Sequence, residues 1–131
     1  MTNPYQELGG REVVLRVVER FYDVMEQTEP ALASLHELDG AGKVSRRNRD
    51  RFALFLLGWL GGPDDYVRQH GHPRLRMRHG RVAVTVAMRD AWLRCMYVAL
   101  DEQDVPAATR AFLRERFAEV ADFMRNVDEP G

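Results

Sequence analysis

Three of the chain's four histidines, His70, His72 and His79, fall within ten residues, in a stretch that also carries Arg74, Arg76 and Arg78. Imidazole is a ligand for zinc, copper and iron. Zinc needs three or four ligands converging on one point. Here a glycine separates His70 from His72, and no cysteine pair or HExxH pattern accompanies them. His72, just before Pro73, reads as a helix-entry residue. His79 differs from both. It lies four residues after Leu75, so on a helix the two face one way, and Arg74 and Arg78 form a second i, i+4 pair beside them. An imidazole among apolar neighbours and flanked by guanidinium groups suits a ligand with a metal centre and anionic edges, as haem has in its iron and propionates.

Other side chains could carry chemistry or simply fill a core. Tyr22 sits on an apolar stripe, where a buried phenol needs a partner for its hydroxyl. Trp92 brings an indole N–H, a donor that wants an acceptor. Each also reads as a core residue, Tyr22 bonded to a backbone carbonyl and Trp92 filling space. Phe52, Phe55 and Trp59 form an aromatic stripe at helical spacing, the pattern of a core face more often than of a cofactor box. Lys43, Arg46, Arg47, Arg49 and Arg51 could bind phosphates, but such a run reads as a solvated helix face. Cys95, the single cysteine, reads as a small buried hydrophobe.

The elements that must position these residues read as helices separated by Gly/Pro breaks. Residues 11–27 place Val14, Val18, Phe21, Tyr22 and Met25 three or four apart, the spacing of one helix face. Gly9-Gly10 lets the chain turn into that helix. Residues 28–45 read as a loop or short-turn region. A helix over 46–60 carries Asn48, Phe52, Phe55, Leu56 and Trp59 on one face, and Gly61-Gly62-Pro63 stops it. Residues 64–70 make another helical turn, and Pro73 opens a short helix that ends at Gly80. The segment 81–86, RVAVTV, has strand propensity but no partner and reads as an extended connection. Helices over 88–102, with Trp92, Cys95, Met96 and Ala99, and over 107–125, with Phe112, Leu113, Phe117, Val120, Ala121 and Met124, complete an all-α domain.

The chain's 131 residues suffice for one domain and not for two. A formal charge of −1 argues against a protein held to nucleic acid or membrane mainly by bulk charge. No run of 18 apolar residues spans a bilayer, no internal disulfide is possible, and no targeting signal is evident. A cytoplasmic domain is the expectation.

In order, these pieces resemble the truncated haemoglobins of group II. The resemblance is carried by Gly9-Gly10, Phe21-Tyr22, Trp59-Leu60-Gly61-Gly62-Pro63, Tyr66, the string from Gly71 through His79, and Arg89-Asp90-Ala91-Trp92-Leu93. It covers about residues 5–126. The strings GHPRLRMRH and RDAWL at their mutual spacing are its specific part. It implies a two-over-two helical sandwich around haem b. His79 would be the proximal iron ligand, Tyr22 the distal tyrosine, and Trp92 the tryptophan over the haem edge. His36 would occupy the loop position that contacts bound ligand. Asn48 and Phe52 would stand nearest the iron on the distal side, with Phe55 extending that wall and Met96 also among the cofactor contacts. Leu75 and Met77 would pack on the proximal side. Arg78 and Tyr66 would meet the propionates. Two departures from the group stand out: Phe52 is large where a smaller residue is common, and the segment after His79 lacks the usual Pro-Phe pair.

The implied function is binding of dioxygen, carbon monoxide, nitric oxide or peroxide. Polar donors at one point, Tyr22, Trp92 and His36, would slow oxygen loss and suit redox chemistry or sensing better than bulk oxygen transport. Tyr22 and Trp92 would then be the catalytic pair in a peroxidase-like or nitric-oxide dioxygenase activity. With no flavin or nicotinamide domain, a separate reductase would be needed. Neither nucleic acid nor membrane is an expected partner, and the chain would act as a monomer or homodimer. The sixth iron site is expected to be vacant when ferrous and water-bound when ferric. The alternative from another class is a cofactor-free helical interaction module, which would be colourless.

Overall fold

The computed structural model describes residues 3–71 and 85–124, except the side chains of His70, Phe123 and Met124. Seven helices lie within these residues: α1 (Pro4–Leu8), α2 (Arg11–Thr28), α3 (Pro30–Ala33), α4 (Arg46–Trp59), α5 (Asp65–His70), α6 (Val86–Asp101) and α7 (Ala107–Met124). The four long ones, α2, α4, α6 and α7, fall where the apolar periodicity places them. The short α1 and α3 do not show in that periodicity, because each is set by its ends. Asn3 caps α1 through its side chain, with Gln6 returning the bond, and Pro30 opens α3. Between α3 and α4 a single antiparallel bridge joins Leu38 to Val44.

α2 is the centre of the fold. Val14, Val17, Val18, Phe21, Tyr22, Val24 and Met25 are all buried on it. At about 1.5–3 kcal/mol for each fully buried large apolar side chain, this face outweighs any single polar contact. It packs against both α4 and α6, and α6 packs in turn on α7. From α6 come Cys95, Met96, Ala99 and Leu100, and from α7 Leu113, Phe117 and Ala121. Phe112 departs from its expected place on the apolar stripe and lies 48% exposed.

The stop after α4 also anchors the N-terminus. Gly61 has φ +101°, and a side chain there would strike the Asn3 amide. That amide donates to the Gly61 carbonyl at 2.8 Å, while the Tyr5 N–H donates to the Leu60 carbonyl at 3.0 Å. A Cβ on Gly62 would meet the Tyr5 ring at 2.7 Å. The glycine pair therefore both ends α4 and seats α1 upon it. Among the described residues no helix is long and apolar enough to cross a membrane.

Candidate functional site

The side chains singled out in the sequence meet where α2, α4 and α6 come together. Tyr22 (α2) is buried and lies edge-on to Phe21 and His36, with ring centroids 4.8 and 5.6 Å away. Phe52 (α4) stands 5.9 Å from Tyr22 and 6.3 Å from Trp92 (α6). Phe21 touches both Phe52 and Trp92, at 5.4 and 5.2 Å. Phe55 extends the wall, stacked on Phe52 at 6.2 Å, and reaches Tyr66 of α5 at 5.8 Å. Offset and edge-to-face pairs of this kind add to the burial that holds them.

One hydrogen bond gives the wall its polar point. The Asn48 amide nitrogen donates to the Tyr22 hydroxyl at 3.1 Å. Asn48 is placed by the start of α4, where the Ser45 hydroxyl accepts from the Asn48 backbone N–H. A phenol has one hydrogen to give, and Asn48 takes up the oxygen from one side. The Tyr22 O–H is left to point to the other. Burial pushes the Tyr22 hydroxyl well above the usual phenol range, against smaller opposite effects from Asn48 and the Arg49 charge. Tyr22 is therefore a neutral donor at ordinary pH. His36 behaves differently. Its Nδ1 lies 3.0 Å from the Leu32 carbonyl, which can only accept, so Nδ1 carries the hydrogen.

Arg49 departs from the expected solvated face. The basic run of residues 43–51 reads as a solvated face, and Arg46 and Arg47 are indeed exposed. Arg49 is only 5% exposed. Its Nε donates to the Val44 carbonyl at 3.0 Å, Nη1 to Asp23 at 3.0 Å and Glu19 at 3.2 Å, and Nη2 to Glu26 at 2.8 Å. The guanidinium lies 5.6 Å from the centroid of the Tyr22 ring. The signal was in α2: Glu19, Asp23 and Glu26 are four and three residues apart, one acidic helix face awaiting a cation.

Among the expected site residues, then, Tyr22, His36, Asn48, Phe52, Phe55, Tyr66 and Trp92 form one connected cluster. Met96, one turn beyond Trp92, is fully buried in the core. His79, Leu75, Met77 and Arg78 lie outside the described residues, as do the short helix beginning at Pro73 and most of the segment 81–86.

The composition of this wall tests its fit to a planar cofactor. Phe52, Phe55 and Trp92 are half-buried although their rings pack on one another and on Phe21 of α2. Large rings left partly open beside the core suit a flat apolar partner. The Tyr22–Asn48 hydrogen bond supplies polarity at the wall's edge. A bacterial-like globin family model matches residues 3–126. The chain belongs to the bacterial-like globins. The globin is 34% identical over 126 residues to the group 2 truncated haemoglobin YjbI of Bacillus subtilis (strain 168), covering 96% of this chain and 90% of that protein. It superposes with a TM-score of 0.87 on the cold-adapted truncated haemoglobin of the Antarctic marine bacterium Pseudoalteromonas haloplanktis TAC125, 39% identical, covering 96% of this chain and 99% of the other. The same TM-score, 0.87, relates it to the group II 2-on-2 haemoglobin of the plant pathogen Agrobacterium tumefaciens, 33% identical over 98% of this chain and 97% of that one. The fold is accordingly the two-over-two globin sandwich, and the globin binds haem, of which haem b is the usual form.

Proposed function

We propose that this globin would hold haem b through His79 and would present Tyr22 and Trp92 to a diatomic ligand. The observation that carries this reading is the bond from Asn48 to the Tyr22 oxygen at 3.1 Å, which leaves the phenolic hydrogen to be donated. Haem, when bound, supplies an iron that takes up dioxygen, carbon monoxide, nitric oxide or peroxide. The residues of the chain do the rest. Phe52 and Phe55 exclude water from the distal side. Tyr22 donates to the charge that develops on a polar diatomic ligand, and the Trp92 indole is the second donor. A charge-assisted bond of this kind is worth about 1.5–3 kcal/mol in a dry site, or about tenfold to a hundredfold in dissociation rate. Leu75 and Met77 would flank His79, and Arg78 and Tyr66 would meet the propionates. His36 would occupy the position that contacts bound ligand, and Met96 would join Trp92 among the cofactor contacts.

Slow release favours redox chemistry over bulk transport. Two reactions balance with what the site offers. Dioxygen, nitric oxide and one electron give nitrate. Peroxide, two electrons and two protons give two waters. The electrons come from a separate reductase in the first case and a small organic donor in the second. A protonated Tyr22 donates to the reacting oxygen in either, and Tyr22 and Trp92 are the catalytic residues of this reading. The globin then acts in the cytoplasm as a monomer or homodimer.

The test begins with absorption spectra of the ferric, dithionite-reduced and carbon-monoxide-treated protein. The expected result is a Soret band that moves at each step in the wild type. In His79→Gly, the iron should lose its nitrogen ligand from the protein and regain one with added imidazole. Unchanged coordination in that variant contradicts the ligand assignment. Peroxide that bleaches the wild-type spectrum without oxidising a phenolic donor contradicts the peroxidase branch.

A further inference from the structure

We propose that Arg49 is a positioning residue for the distal pair, holding α4 at the rotation that puts the Asn48 amide on the Tyr22 hydroxyl. The inference rests on the reading of Tyr22 as the distal donor. Four observations carry it. Arg49 is the residue after Asn48 and is itself buried at 5% exposure. Its donors are spread over two elements: three carboxylates of α2, and the Val44 carbonyl in the turn that leads into α4. Those carboxylates flank Tyr22 on its own helix, at Glu19, Asp23 and Glu26. Finally, Glu26 also accepts from the Val44 N–H, at 2.6 Å, so the turn, α2 and α4 are tied at one carboxylate.

The geometry explains why the link is sensitive. A side-chain tip sits about 5–6 Å from its helix axis, so a turn of about 10° moves it roughly 1 Å. A bond of 3.1 Å lengthened by that amount is no longer a hydrogen bond. Apolar packing between α2 and α4 tolerates such a rotation better than a fork of directed bonds does. The planar guanidinium suits this task because its N–H groups diverge to several acceptors at once. A lysine ammonium would supply the charge without the span.

The test uses the haem-loaded, reduced protein with carbon monoxide as probe, and compares wild type with Arg49→Met, Arg49→Lys, Tyr22→Phe and the exposed-site control Arg47→Met. Two readouts separate positioning from folding: the carbon monoxide stretching band, which reports the donor field at the ligand, and hydrogen exchange of the Asn48 side-chain amide by NMR. In Arg49→Met the band should split or move towards its position in Tyr22→Phe. Asn48 amide exchange should accelerate at least tenfold, and dioxygen should dissociate about threefold to tenfold faster. Arg49→Lys should recover part of the stability but not the band. Arg47→Met should match wild type. If Arg49→Met fails to fold, Asp23→Asn and Glu26→Gln, each loosening one arm of the fork, should show the same shifts in smaller degree. A folded Arg49→Met, or the two carboxylate variants, with lowered melting temperature but unmoved band and exchange overturns the inference. A Tyr22→Phe variant with an unmoved band instead overturns the distal reading itself.

Discussion

The Asn48 amide donates to the Tyr22 hydroxyl at 3.1 Å across the seam of α2 and α4, and so sets which way the phenolic hydrogen points. Removing the amide frees the hydroxyl to take either in-plane orientation. Asn48→Leu should therefore release dioxygen about twofold to tenfold faster while costing about 1 kcal/mol of stability, the net worth of one neutral hydrogen bond. Stopped-flow dissociation and urea denaturation measure the two. A rate equal to wild type would mean that the orientation of the phenol is fixed by something else.

Phe52 fills the space between Tyr22, Phe55 and Trp92. Its ring is half-buried, so truncation forfeits less than a full core site would. Phe52→Ala should lose about 2 kcal/mol, below the usual range for a buried phenylalanine. It should also admit carbon monoxide faster, by severalfold, in flash photolysis. No gain in association rate would show that Phe52 does not limit access.

Acid stability should depend on Glu19. The Arg46 guanidinium that bonds its carboxylate is the main cause that holds it below its ordinary range; burial opposes this, and the Arg46 and Arg49 charges add to it. A carboxyl lowered in the folded state contributes stability that is complete above its unfolded value of about 4.3 and is lost as pH falls through the lower folded value. Urea midpoints should thus drop steeply below about pH 4 in wild type. Glu19→Gln should be weaker at neutral pH and flatter on the acid side. Parallel acid limbs for the two proteins would contradict the assignment.

The long helices were legible because their apolar faces repeat at helical spacing over four or five turns. Val14, Val18, Phe21, Tyr22 and Met25 all proved buried, whereas Phe112, on the same kind of pattern in α7, faces outward at 48% exposure. Periodicity gives a face, and the partner element decides whether that face is covered. The α1 and α3 turns carry too few residues for a period and are set by caps instead. The burial of Arg49 does not show in the basic run of α4 taken alone. Its burial follows from the acidic face of α2, two helices and more than 20 residues away in sequence. The cluster of Tyr22, Asn48, Phe52 and Trp92 came from the order of motifs along the chain. The direction of its key hydrogen bond needed coordinates, as did the contact of His36 Nδ1 with the Leu32 carbonyl.

The most direct measurement of the account is the rate at which the reduced, haem-loaded protein releases dioxygen, compared between wild type and Tyr22→Phe. Loss of the phenolic hydrogen should speed release about tenfold to a hundredfold, with carbon monoxide release changed far less because that ligand carries little charge. Equal dioxygen rates in the two proteins would contradict the central claim that Tyr22, oriented by Asn48, is the distal donor.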